Sequence, residues 1–162
     1  SPELAHWRLR IVGEGRLEAD LKARAARLGL TGRVDWLGQV TDPVRHYFEA
    51  GVFVLPSRYE GMPNALMEAM GARLPAIISD ASPGPKELIR HEVSGLVVAG
   101  EDVEALVGAM ERLARDEALR ERMGAAARQQ VEAFAFPHVV AEWERLIGWQ
   151  EEADIDPAFL VA

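Results

Sequence analysis

Short apolar runs alternate along this chain with longer stretches in which apolar side chains return every three or four residues. Trp7 to Val12 is the first run, and from Leu17 to Leu28 the apolar positions take helical spacing and stop at Gly29. Val34 to Leu37 reads as a second strand, Pro43 to Ala50 as a short helix, and Val52 to Leu55 as a third strand. A helix from about Asn64 to Ala72 follows, then strands at Ala76 to Ile78 and Leu96 to Val98. Val103 to Ala114, Glu117 to Phe134 and Pro137 to Trp149 are helical in pattern, with Pro137 suited to a first helical position because it has no N–H to leave unpaired. Strands this short and apolar, each followed by a helix, predict an α/β fold: a Rossmann-like parallel sheet with helices on both faces. Residues 1–150 read as one domain and 151–162 as an appended C-terminal tail.

Composition narrows the function more than the fold. With 162 residues and 49% apolar content the chain can bury a core, and a net charge of -8 argues against broad binding to nucleic acid or anionic membranes, which needs a basic face. Cysteine is absent, which removes disulfides, thiolate metal sites and cysteine nucleophiles and suits a cytoplasmic location. No apolar run approaches the length of a membrane span. The opening Ser1-Pro2-Glu3-Leu4 lacks the basic and apolar regions of a signal peptide and reads as the edge of a longer chain. Arg greatly outnumbers Lys, in keeping with a GC-rich bacterial genome.

The candidate chemistry sits after the third strand, in Glu60-Gly61-Met62-Pro63-Asn64-Ala65-Leu66-Met67-Glu68. In an open parallel sheet ligands bind at the carboxyl ends of strands, where the next helix aims free N–H groups into the crevice. Gly61 lets the backbone pass close to a ligand, and Pro63 is compatible with a helix's first turn. The N–H groups of Asn64, Ala65 and Leu66 are then expected to point outward at the positive end of the helix, which suits a diphosphate. Carboxylates repel phosphate, so Glu60 and Glu68 should grip sugar hydroxyls instead, each charged hydrogen bond being worth roughly 1.5–3 kcal/mol. The plainer alternative is a dipole-complementing Glu60 and a solvated Glu68.

The stretch SRYEGMPNALMEAMGARLPAIISD resembles the signature of family 4 of the glycosyltransferases, retaining enzymes of the GT-B fold whose second domain carries Glu, seven residues, Glu. LRIVGEG, VDWLGQV and KELIRHEVSGLVV extend the resemblance from about Trp7 to Trp149. It implies a donor-binding domain for a nucleotide diphosphate sugar, with UDP favoured, and transfer of a hexose or N-acetylhexosamine to a glycan or lipid-linked acceptor with no metal cofactor. It implies that Glu60 contacts the donor sugar and acts in catalysis, that Glu68 holds the ribose, and that the backbone of Gly61, Met62, Pro63, Asn64 and Ala65 holds the diphosphate. Gly13, Gly15 and Val40 would lie near the base. Ser82-Pro83-Gly84-Pro85-Lys86-Glu87 is similar to a sub-branch that often uses UDP-N-acetylhexosamines; the plainer roles are a first-turn acid for Glu87 and a solvated cation for Lys86.

Members of that family carry a preceding acceptor domain, and their second domain opens with a strand and loop bearing Gly-Arg and then Lys. This chain opens at the following strand. In the doubly wound order the lost strand is central, so the strands at Trp7 and Val52 must pair directly or face an open gap; a rearranged five-stranded sheet, or a strand supplied by another chain, is expected. The acceptor would be met by the preceding domain, which allows peripheral membrane association at the inner membrane face. Two other readings are a standalone nucleotide-binding or scaffold module, or subunit of a split transferase, and a GT-B epimerase or phosphorylase. Gly13-Glu14-Gly15-Arg16-Leu17-Glu18 has a carboxylate where a dinucleotide fingerprint needs its third glycine, so NAD binding is not expected. Asp154-Ile155-Asp156 matches a metal-binding spacing but falls in the tail, away from any strand.

Overall fold

The computed structural model describes residues 4–148; the Asp154-Ile155-Asp156 spacing and the tail lie outside them. The elements alternate as the apolar pattern predicts. Strands β1 (Leu9–Val12), β2 (Val34–Gly38), β3 (Phe53–Leu55), β4 (Ala76–Ser79) and β5 (Gly95–Val98) are connected by helices α1 (Glu18–Arg27), α2 (Pro43–Phe48), α3 (Asn64–Gly71) and α4 (Pro83–Leu88). Helices α5 (Val103–Arg115), α6 (Glu117–Val131) and α7 (Phe136–Ile147) close the chain, with a 3-10 turn at Glu132–Phe134 between the last two. All strand pairs are parallel.

The core lies around β4, whose four residues are all buried. Alternation along that strand sends Ala76 and Ile78 to one face, where Leu66, Met70, Leu88 and Ile89 cover them, and Ile77 to the other, among Leu96, Leu113, Leu119 and Met123. Burying each such side chain contributes about 1.5–3 kcal/mol. Helix α6 serves both faces, Met123 in one cluster and Ala127 in the other. Aspartates start the helices α2, α5 and α6: Asp42, Asp102 and Asp116 each accept the N–H of the residue three positions on.

Of the two expected arrangements, direct pairing or an open gap between the first and third strands, the sheet has the gap. The strands form two sheets, β1-β2 and β3-β4-β5, rather than a rearranged five-stranded one. Strands β1 and β3 do not pair; each has one edge without a ladder partner among the described residues. The segments that lead into them meet through one side chain. The ring of Trp7, two positions before β1, meets Gly51, two positions before β3, and Arg120 covers the ring with its guanidinium 5.3 Å from the centroid. That side chain packs where the two strands begin. On β1 Leu9 and Val12 remain 45% and 44% exposed, and α1 buries only Ala25.

Two local readings also shift. Helix α4 begins at Pro83, so Glu87 lies past its first turn rather than in it. Helix α7 begins at Phe136, which places Pro137 second.

Candidate functional site

Helix α3 starts where the carboxyl end of β3 turns upward, and its first turn is built largely as the sequence suggests. Pro63 is buried and occupies the N-cap with extended backbone, so it stands just before the helix rather than within its first turn. The Leu66 N–H is not free as expected: it donates to the Pro63 carbonyl at 3.0 Å, and Met67 shares that acceptor at 3.3 Å. The N–H groups of Asn64 and Ala65 meet no acceptor among the described residues. Gly61, Met62, Asn64 and Ala65 are all exposed. The mouth of the helix therefore presents two free donors at its positive end.

The turn before it is pinned from α4. The buried Ser82 hydroxyl accepts the Glu60 N–H at 2.8 Å, and the buried Ser79 hydroxyl donates to the Ser57 carbonyl. Gly84 packs directly on the Gly61 carbonyl, leaving no room for a Cβ. This close approach is the reason for a glycine inside a six-residue helix, where it otherwise weakens helical order. The Glu60 side chain is half-buried and its carboxylate has no ion-pair or hydrogen-bond partner among the described residues. Its backbone is held by Ser82, and its carboxylate is an uncommitted acceptor in the turn that leads to the free N–H groups.

Glu68 lies one turn into α3, and a helical side chain leans back toward the N-terminus, over the turn that opens the mouth. It is exposed and accepts a hydrogen bond from the Tyr47 hydroxyl at 3.0 Å. Burial, and then that bond to a carboxylate, push the Tyr47 pKa up to about 12, so the phenol remains a donor at ordinary pH. Sequence reading missed Tyr47. It falls in the expected short helix, but its partner is distant in sequence and the pairing exists only after α2 folds against α3.

Gly13, Gly15 and Val40 come together elsewhere. The Gly13 N–H donates to the Gly38 carbonyl at 2.8 Å, with φ of 119° and 62° at the two glycines, so the turns after β1 and β2 are one unit. Gly15 receives the Glu18 N–H at 3.0 Å to open α1. Gly13 and Gly15 are exposed and Val40 half-buried. These turns stand at the carboxyl end of β1-β2. Two hollows of about 280 Å³ exist, one around Gly51, Arg73 and Arg120 and the other around Arg58, Ser79 and Glu101. Neither contains the α3 mouth. Among the described residues no group of three or more His, Asp or Glu side chains is placed to hold a metal, and no helix is long and apolar enough to cross a membrane.

Comparison with known proteins identifies the family and the fold. The chain is 38% identical over 146 residues to an exopolysaccharide phosphotransferase of Streptomyces coelicolor, covering 90% of this chain and 16% of that protein. It is 32% identical over 142 residues to a Campylobacter jejuni protein named GalNAc-alpha-(1->4)-GalNAc-alpha-(1->3)-diNAcBac-PP-undecaprenol alpha-1,4-N-acetyl-D-galactosaminyltransferase, covering 88% of this chain and 39% of that one. The chain thus spans well under half the length of either relative. The fold matches the crystal structure of a mutant S. aureus TarM in complex with Fondaparinux, alpha-GlcNAc-glycerol and UDP, at a TM-score of 0.80 and 22% identity over 86% of this chain and 28% of that one. The glycosyl transferases group 1 family matches residues 2–130, which takes in β1 through most of α6. By fold and by sequence, this chain belongs to the group 1 glycosyl transferases.

Proposed function

We propose that the chain is the donor-binding domain of a retaining glycosyltransferase, which moves a hexose or N-acetylhexosamine from a UDP-sugar to a glycan or lipid-linked acceptor. The observation that carries the reading is the α3 mouth: free Asn64 and Ala65 amides beside an unpartnered, half-buried Glu60, with Glu68 leaning over the same turn. The amides take the diphosphate, Glu60 takes hydroxyls of the donor sugar, and Glu68 takes the ribose. The Gly13-Glu14-Gly15 and Gly38-Gln39-Val40 turns receive the base. Orientation and charge stabilisation supply the catalysis, with Glu60 the catalytic residue, with no metal ion and with retained anomeric configuration.

The acceptor is met by polypeptide outside the described residues. The unpaired edges of β1 and β3, and the exposed apolar face of α7 carrying Phe136, Trp143 and Ile147, are consistent with a preceding strand and acceptor domain that cover them. In this reading the protein works in the cytoplasm at the inner membrane face. The name of the Campylobacter jejuni relative, an N-acetylgalactosaminyltransferase acting on an undecaprenol-linked acceptor, supports both the sugar class and the acceptor class.

Calorimetric titration of UDP, GDP, ADP and their sugar conjugates tests the reading. UDP and a UDP-N-acetylhexosamine should bind, and excess chelator should leave their affinity unchanged. Absence of binding by every nucleotide would end it. A second reading follows from the Streptomyces coelicolor relative's name: a transferase of sugar phosphate rather than sugar. The two differ in the leaving group. Transfer of the sugar releases UDP, whereas transfer of the sugar phosphate releases UMP, and chromatography of the spent nucleotide separates them.

A further inference from the structure

Helix α2 is short and has no buried residue, yet it is tied at several points. Glu49, at its C-cap, accepts a hydrogen bond from Arg10 of β1 at 2.7 Å and another from Arg45 at 3.0 Å. The Tyr47 ring stands edge-on to Phe53 of β3, with centroids 6.0 Å apart and planes at 76°. The Tyr47 hydroxyl then reaches Glu68 of α3. An exposed glutamate on a helix otherwise exchanges freely among rotamers, so a half-buried phenol held by ring packing is an unusual partner for it.

We propose that Tyr47 is a positioning residue that fixes the Glu68 carboxylate for a vicinal diol. The inference rests on the reading that Glu68 receives the ribose of the donor. Tyr47 donates to one oxygen, Oε2, which leaves Oε1 and a remaining lone pair on Oε2 free, and the phenolic oxygen keeps its own acceptor capacity. Two adjacent hydroxyls can then donate together, one to Oε1 and the other to Oε2 or the phenol. A carboxylate free to swing into solvent must first be ordered to make the same pair of bonds, at the expense of binding free energy. The selectivity that Tyr47 confers is for ribose over a sugar lacking its two hydroxyls.

The test compares UDP with 2′,3′-dideoxy-UDP by calorimetry on the intact protein, in wild type, Tyr47→Phe, Glu68→Ala and the double variant. Tyr47→Phe keeps the ring against Phe53, and an unchanged thermal midpoint shows that the fold is retained. The expected result is that Tyr47→Phe weakens UDP about ten- to a hundredfold, as for loss of one hydrogen bond to a charged group, and leaves the dideoxy ligand within about twofold. In the Glu68→Ala background the same change should have no further effect, because the two residues act as one unit. Equal weakening of both ligands, an undiminished preference for UDP, or an equal effect of Tyr47→Phe with and without Glu68 would each overturn the inference. A wild type that does not distinguish the two ligands, or a Glu68→Ala variant that binds UDP normally, would instead remove the ribose reading of Glu68 and this inference with it.

Discussion

Gly84 rests against the carbonyl of Gly61, so close that a Cβ at residue 84 would overlap the Gly61 oxygen. The obstacle is backbone, which cannot rotate aside as a flexible side chain would. Since Ser82 holds the neighbouring Glu60 amide from the same element, α4 acts as a template for the turn that aims Glu60. Gly84→Ala should therefore destabilise the protein by about 1–3 kcal/mol, the usual result of overpacking, and displace the turn. Thermal unfolding measures the first effect. A loss of UDP-sugar affinity exceeding the loss for UDP itself measures the second, because Glu60 is assigned to the sugar.

Deleting one donor tests the anion role of the α3 mouth. Asn64 is the first residue of α3, where proline is well tolerated, and Pro63 before it already has extended backbone. Asn64→Pro should keep the helix and weaken UDP about tenfold through loss of one amide hydrogen bond to charged oxygen. Asn64→Ala, which retains the N–H, should change it much less. Equal effects of the two substitutions would show that the side chain matters instead.

Glu60→Gln removes the charge and keeps the shape. In the intact enzyme turnover should fall by at least about a hundredfold, as when a preorganised charge-stabilising group is lost, while UDP affinity stays nearly constant. Normal transfer by this variant would take Glu60 out of the reaction.

Arg73 offers a prediction of opposite sign. It follows the C-cap of α3 with φ of 63°, a left-handed conformation that costs a residue with a Cβ about 1–2 kcal/mol. Glycine avoids that strain but loses about 0.5–1 kcal/mol more backbone entropy on folding. The exposed Arg73→Gly should thus stabilise by about 0.5 kcal/mol, the difference between those two values, read as a higher urea midpoint. Leu66→Ala, by contrast, empties a fully buried site in the core and should cost about 2–5 kcal/mol.

Acid should loosen the β1-β2 sheet. The Arg8 guanidinium hydrogen-bonds Asp35 and holds its carboxyl below the ordinary carboxylate range. Its folded value lies below its unfolded value, so the stabilisation is present above the unfolded pKa of about 3.9 and is lost as pH falls through the folded one. Urea midpoints measured from pH 7 downward should fall below about pH 4 in the wild type, and fall less steeply in Asp35→Asn. Identical profiles would show that the pair contributes nothing.

Most strands and helices were legible because their apolar spacing is set by burial: Ile77 and Ile78 must face opposite cores whatever the family. Glu60 and Glu68 were legible because a motif records their spacing along one segment. The start of helix α4 was not, since Ser82-Pro83-Gly84-Pro85 has the composition of a loop and packs against the Gly61 turn, which is distant in sequence. The Leu66 N–H was misread for a related reason: Pro63 at the N-cap turns its carbonyl back onto that donor, a matter of one dihedral angle. Tyr47 left no local trace, because its role depends on two helices meeting. The divided sheet could be anticipated as a choice between direct pairing and a gap, but not the contact of the Trp7 indole with Gly51 and Arg120.

That division makes the molecule two lobes with unequal anchorage. The β3-β4-β5 lobe holds nearly all the buried side chains, while the β1-β2 lobe is tethered to it chiefly by Trp7 against Gly51 and Arg120 and by Arg10 on Glu49. A nucleotide reaching from the Gly13 turn to the α3 mouth would therefore act as a clasp, and amide exchange in β1 and β2 should slow on loading far more than in β4, whose full burial already predicts slow exchange.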